Sequence, residues 1–419
     1  MEIKELTNDE FNNFVNKYSL HSMYQSTEYG LVMNNHNYET IFVGLFNEAN
    51  DIVAASLILI EKLGQFKYAY APRGFLIDYT NGELLTEFTN KIKLFLKKKK
   101  VIAIKISPLI AKSKYTPSLN IALDNQVYDS IYNKLIELKY YHLGYNNFFE
   151  SFKPRFIAIS NLEQDTNKLF NLLDDKIKEK IIESDGAGVR VFKGNKENLE
   201  FVYEDLREKK EKSKEYVNDL YNYFNDTGKA EVYFAKLDTQ AYLVNTRSEY
   251  QKQVNICSTI TDQLFENQGK ANNEIIQNKI AEENKLATLK NQLVYATNLL
   301  RTNPNGIVVA STLVIKHHNQ IYITLDGINE EYKHLNPKCI LIWKIMEKYA
   351  KEGYKEIILG GMANPYLEKE NQYNELNEFK LGFNSSSVEY AGDFELITNY
   401  PLYMLYRNGA PFRKLKKQN

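Results

Sequence analysis

Near the C-terminal end, Phe379-Lys380-Leu381-Gly382-Phe383 places one cation between aromatic residues and just before a glycine. A lysine held in that frame suits a point where negative charge develops. A fixed ammonium aimed at the oxyanion of a tetrahedral intermediate is worth on the order of 3–4 kcal/mol for the best single donors. The competing reading is a solvated lysine on a strand. A second constellation is Tyr70-Ala71-Pro72-Arg73-Gly74-Phe75-Leu76-Ile77-Asp78-Tyr79. It sets an arginine in a Pro/Gly turn shortly before an aspartate, and a loop-shaping Arg73–Asp78 pair accounts for it as well as a binding site does. Gly360-Gly361 ends a strand-like run and suits either a turn or a close backbone approach to a substrate.

Other chemistries have little support. The sequence contains no P-loop, CxxC pair or HExxH, and no Ser/His/Asp order stands out. His317-His318 falls in KHHNQ, a hairpin tip expected to be solvent-exposed. Cys257 and Cys339 read as small hydrophobes, with no disulfide framework and no metal site. Asp185-Gly186-Ala187-Gly188 invites a pyrophosphate cradle for acetyl-CoA, which a glycine-rich loop at a helix N-terminus provides. Glu183 argues against it, because an anion would face the anionic ligand.

These residues need a large scaffold. With 419 residues and 43% hydrophobic content, the chain predicts two or three domains with substantial cores. The 53 Lys+Arg balance the 53 Asp+Glu, which argues against a dedicated, strongly basic nucleic-acid binder. The polar, acidic start MEIKELTNDEFNNF does not read as a signal peptide, and the longest apolar run, near Ile52–Ile60, is too short for a span of ~20 residues. A soluble, cytoplasmic protein is expected.

Thr7 and Glu10 have capping-box spacing and predict a helix start. Glu39–Phe46 and Ile52–Leu59 read as a hairpin, Leu84–Lys100 and Val127–Leu138 as helices, and Val101–Ser107 as a buried strand. A second round follows, with a strand at Arg155–Ile159, helices at Lys168–Glu183 and Lys196–Phe224, and a strand at Ala230–Leu237. Strands at Gly306–Lys316 and Gln320–Asp326, a helix at Lys338–Glu352 and a strand at Glu356–Gly360 complete it. The order predicts two similar α/β units around mixed sheets. Within the second, Thr246–Thr302 contains no proline. Its apolar positions Tyr250, Val254, Cys257, Thr261 and Leu264, then Leu286, Leu289, Leu293, Ala296 and Leu300, predict two antiparallel helices turning near Gly269–Asn273.

Together these segments resemble the Fem family of peptidoglycan-bridge aminoacyltransferases, the FemA/FemB/FemX and MurM/MurN group. The resemblance spans the chain. FKLGF matches every place of the family's F-K-x-G-[FY] motif, and the Tyr70–Tyr79 segment matches Y-x-x-R-G-x-x-x-D-[YF]. It implies an α/β fold of two acetyltransferase-like (GNAT-like) mixed-sheet domains, with a helical coiled-coil arm inserted in the second. The first domain would be residues 1–152 and the second 153–245 with 303–406, the arm 246–302, and 407–419 a basic tail suited to peripheral contact with an anionic membrane.

The implied activity is transfer of an amino acid from aminoacyl-tRNA to the stem peptide of a lipid-linked or nucleotide-linked peptidoglycan precursor, without metal or cofactor. Lys380 would be catalytic. Tyr70, Arg73, Asp78, Arg207, Gly361, Phe379 and Gly382 would line the substrate sites. Homo- or hetero-dimers with Fem homologues are implied as well. The pattern is incomplete in places. Gln25 and Tyr29 stand where the family pattern has them, but Met33 occupies the place of a cation. Asp165–Asp185 is acidic where the family is basic, and Asp205–Lys210 keeps only Arg207 of an E-R-x-G-F segment. A catalytically weakened homologue acting as a binding partner is therefore the alternative, with an acetyl-CoA-dependent acetyltransferase behind it.

Overall fold

The computed structural model describes residues 1–200, 202–203, 213–266, 273–367 and 371–409. Two mixed sheets form the body. One runs in the order β1 (Glu2–Glu5), β2 (Tyr38–Phe46), β3 (Ile52–Leu63), β4 (Phe66–Ala71), β5 (Val101–Ile106), β16 (Phe394–Ile397) and β8 (Tyr140–His142). The other runs β10 (Val189–Gly194), β11 (Ala230–Leu237), β12 (Ile307–His317), β13 (Gln320–Ile328), β14 (Glu356–Met362), β9 (Phe156–Asn161), β15 (Ser386–Tyr390), β6 (Ala111–Tyr115) and β7 (Ile121–Asp124).

The same unit occurs twice. Three antiparallel strands lead through a helix into a parallel fourth. In the first sheet these are β2, β3 and β4, the helix Gly82–Lys98, and β5. In the second they are β11, β12 and β13, the helix Pro337–Lys351, and β14. Each helix is marked locally. The Asn81 side chain accepts from the Leu84 backbone N–H at 3.0 Å, and Lys97 and Lys98 occupy the last turn, where cations favour the helix dipole. The second helix has Pro337 in its first turn and presents Ile340, Ile345, Met346 and Tyr349 to the core.

The sheets do not divide the chain at residue 152. β16, from the C-terminal part, lies between β5 and β8 of the first sheet. β6 and β7, from the N-terminal part, extend the second sheet beyond β15. This exchange of strands leaves no local pattern to read in the sequence, because it pairs segments nearly 300 residues apart. An apolar cluster also spans the halves, with Leu57 and Leu59 of β3 alongside Leu313 and Ile315 of β12.

The helix expected across Lys196–Phe224 differs too. Lys196–Leu199 is a short 3-10 turn and Lys214–Asp226 a helix. Arg207 falls outside the described residues. Of the basic tail, Arg407 lies in the helix Tyr400–Gly409, and residues 410–419 are outside the described set.

The long insertion forms two helices, Thr239–Glu266 and Asn273–Thr302. Thr239 Oγ1 donates to the Asn303 carbonyl at 2.7 Å, and farther out Gln253 Nε2 donates to the Glu282 carbonyl at 3.1 Å, so the pair runs antiparallel. The most buried outer positions of the first helix are Gln253 and Ile260, one residue before the expected Val254 and Thr261. The base is not a free stalk. Leu243 and Thr246 are buried, and Leu299 belongs to the core of the second sheet. Among the described residues, no helix is long and apolar enough to cross a membrane.

Candidate active site

A cleft of about 2100 Å³ is lined from both halves of the molecule, by Arg73, Lys105 and Lys153 on one side and Tyr322, Gly360 and Lys380 on the other. Lys380 projects from the last turn of the helix Asn374–Leu381, not from a strand or loop. Its ammonium donates to the Gly361 carbonyl at 2.5 Å. Burial brings its pKa down to about 8, with nearby Asp326 pulling it up and Lys338 pushing it down. The side chain still opens onto the cleft.

The glycines around Lys380 have physical reasons. A Cβ on Gly361 would lie 2.5 Å from Pro154 Cγ and 2.9 Å from Phe149 Cε1. The close approach it permits is therefore to Pro154 of this chain. Gly382 ends the lysine-bearing helix, and its carbonyl accepts from the Asp174 N–H at 2.9 Å. Phe379 meets Phe383 edge-on at 5.3 Å, and both pack on the second core. The aromatic frame thus braces the helix end and does not sandwich the ammonium.

The second motif separates into distinct roles. Arg73 is buried on the cleft, donates to the Pro154 carbonyl at 2.7 Å and lies 4.7 Å from the Tyr390 ring. Asp78 does not pair with it. It is exposed, accepts from the backbone N–H and hydroxyl of Thr80, and is absent from the cleft lining. Tyr70 stands behind the wall, its hydroxyl 2.7 Å from Ser107 Oγ, and burial keeps its pKa well above the ordinary tyrosine value. Gln25 holds the Pro72 carbonyl at 2.8 Å and accepts from the Leu57 N–H at 2.8 Å. A Cβ on Gly74 would come within 2.8 Å of Gln25 Nε2, so Gln25 and Gly74 fit together to hold the turn that presents Arg73.

Lys153 was not singled out from the sequence. Its ammonium lies 3.1 Å from the Tyr24 ring centroid, 5.1 Å from Tyr29 and 5.0 Å from Phe152. Tyr29 and Met33 line the same cleft. A cation thus reaches the surroundings of Met33 from a different segment. The visible signal was Phe152-Lys153-Pro154-Arg155, an aromatic and two cations at the junction of the units.

Next to it, Glu389 of β15 pairs with Arg155 and accepts from Lys112 at 3.3 Å and Tyr115 at 2.9 Å. Burial, the largest single influence, would raise its pKa, but Arg155, Lys112 and Tyr115 together outweigh it and hold the carboxyl below its usual value. The cluster fastens β6 to β15 beside the cleft.

Asp185-Gly186-Ala187-Gly188 sits at the C-terminal end of the helix Asp175–Gly186, where carbonyls and the negative dipole end point outward. That is the wrong end for a pyrophosphate. His317 is buried, against the expectation of an exposed pair, while His318 is exposed. Leu313, Ile315 and His317 alternate along β12 onto the inward face, which carries the imidazole inside. His21 joins the two, and burial, then the charge of His318, lowers its pKa to about 4.

The FemAB family model matches residues 6–408. The chain is 26% identical to "Aminoacyltransferase FemA" of Staphylococcus epidermidis, with 100% of both chains covered. It is 24% identical to "Lipid II:glycine glycyltransferase" of Staphylococcus aureus, covering 98% of this chain and 96% of that protein. Among solved structures, a crystal structure of FemX superposes with a TM-score of 0.73 at 20% identity, covering 97% of this chain and 99% of the other.

Proposed function

This chain belongs to the FemAB family, and on that premise we propose that it transfers an amino acid from aminoacyl-tRNA to the stem peptide of a peptidoglycan precursor. Names of similar proteins, an aminoacyltransferase and a lipid II:glycine glycyltransferase, support a precursor of the cell-wall cross-bridge as acceptor. The observation that carries the chemistry is Lys380. It is a cation on a two-sided cleft, fixed by a backbone carbonyl and largely desolvated.

The reaction is aminolysis of an ester. The neutral amine of the acceptor attacks the aminoacyl carbonyl, the C=O electrons become an oxyanion, and the C–O bond to the ribose then breaks. The amine loses a proton and the departing ribose oxygen gains one. Lys380 would sit opposite the oxyanion, where a preorganised charge acts most strongly in a site of low water content. Arg73 and Lys153 would hold the anionic part of one substrate, and the walls would align the reactants.

The test is transfer of labelled amino acids from a charged tRNA pool to purified lipid-linked precursor. Labelled precursor is expected from the wild-type chain, and roughly a hundredfold more slowly from Lys380→Met. Absence of transfer from every aminoacyl-tRNA, with a folded protein and intact precursor, would overturn the proposal.

A further inference from the structure

His21 lies in the segment before the short turn Met23–Gln25, and His317 and His318 lie at the β12–β13 hairpin tip. Their ligand atoms all fall within 4.8 Å of one another. His21 and His318 stack at 4.2 Å between centroids, and His317 stands 4.6 Å from His318 and 5.5 Å from His21. Two ring nitrogens, His21 Nδ1 and His317 Nε2, are buried without a hydrogen-bond partner. Buried polar atoms are normally satisfied, so two orphaned lone-pair or N–H positions in one cluster require an explanation. Nothing in the acyl-transfer chemistry uses them.

We propose that His21, His317 and His318 form a three-histidine site for a zinc-class transition-metal ion, which ties the cleft-wall segment of the first half to a hairpin tip of the second. The ligand chemistry selects the class. Three imidazoles suit Zn²⁺, Co²⁺, Ni²⁺ or Cu²⁺, whereas Mg²⁺ and Ca²⁺ require oxygen ligands. Tetrahedral zinc with bonds of about 2.0–2.1 Å needs nitrogens about 3.3 Å apart, so the rings must turn inward. His318 is exposed and at the tip, where that adjustment is least costly. The fourth position falls to water.

One local charge opposes a cation. Lys229 influences both His317 and His318. Glu28 pairs with it at 2.6 Å and offsets it. His21 also lines the cleft, so the metal would brace a wall of the site without taking part in the transfer.

The full chain, stripped with a chelator and freed of affinity tags, is titrated with ZnCl₂ alone by calorimetry and with Co²⁺ by visible absorption. One equivalent of zinc should bind, Co²⁺ should give the intense bands of a tetrahedral site, and zinc should raise the melting temperature. His318→Gln and His21→Gln should each weaken binding by at least about tenfold and remove the cobalt bands. His334→Gln, exposed and outside the cluster, should change neither. His318→Gln is the decisive variant because its side chain contributes little to the core, and circular dichroism checks both folds. Absence of stoichiometric binding, or binding unchanged in His318→Gln and His21→Gln, would overturn the site and leave a stacked imidazole cluster only.

Discussion

The Lys380 ammonium donates to the Gly361 carbonyl at 2.5 Å, so the lysine of one motif is aimed by the second glycine of another. The Pro154 ring packs close beside Gly361, and Arg73 donates to the carbonyl of the same Pro154. Residues from three distant segments therefore meet around one charge. Lys380→Met should lower turnover by roughly a hundredfold or more, as for loss of an oxyanion donor. Lys344→Met, on an exposed helix face and paired with Glu347 at 2.9 Å, should leave turnover unchanged. Equal losses in the two variants, or full turnover in Lys380→Met, would remove Lys380 from the mechanism.

A pKa of about 8 for Lys380 gives the pH profile a definite shape. The acceptor amine must be neutral, and an unperturbed amine near pKa ~10.4 drives the rate up with pH. The ammonium must be charged, so its contribution falls as pH rises through about 8. The rate of wild-type transfer should therefore flatten or turn over near that pH, and any turnover left in Lys380→Met should keep rising. Stability carries the same proton. The folded pKa lies below the ordinary lysine value of 10.5, so between about 8 and 10.5 the unfolded chain binds more protons and this group's contribution to stability rises with pH. Below 8 the buried charge is a constant cost. Lys380→Met should thus melt no lower than wild type at neutral pH, with its relative advantage shrinking above pH 8. A marked loss of stability at pH 7 would contradict the burial argument.

Local patterns carried much of this molecule. Thr7 and Glu10 do form a capping box, Ala230–Leu237 is a strand, and the repeated strand–helix–strand order shows in both sheets. What escaped was set by distant partners. β16 is only four residues, FELI, and its place between β5 and β8 depends on pairing across the whole chain. Lys153 looks like any junction lysine until Tyr24 and Tyr29 close around it. Arg73 and Asp78 read as a pair because they are near in sequence, but Thr80 lies two residues from Asp78 and takes the carboxylate first. The competing reading of Lys380 as a strand lysine gives way to a helix that Gly382 caps at its C-terminal end.

Lys153 should matter for anion binding. A cation desolvated against aromatic faces is worth about 2 kcal/mol, and its charge also faces the cleft. Lys153→Met should weaken binding of a soluble nucleotide-linked precursor by about tenfold and flatten the dependence of affinity on salt. Lys112→Met, whose partner is Glu389 at 3.3 Å, should keep the wild-type salt dependence. Titration at two ionic strengths decides, and an unchanged salt slope in Lys153→Met would place the anion elsewhere.

The helical pair should divide energetically into an outer part and a base. Beyond Gln253 most side chains of both helices are exposed or half-buried, whereas Ala296 and Leu299 near the base are buried and Leu299 packs in the second core. Replacing Asn255–Thr288 by a short Gly/Ser turn should therefore leave one cooperative unfolding transition, with a midpoint close to wild type and a lower helical signal by circular dichroism. Leu299→Ala, a single change at the base, should cost about 2–5 kcal/mol, the usual range for removing a buried leucine side chain. The order of the two effects is the informative result, because the larger deletion is expected to do less harm. If the shortened chain unfolds gradually or aggregates while Leu299→Ala melts like wild type, the outer helices contribute to the body, and the division at the base is wrong.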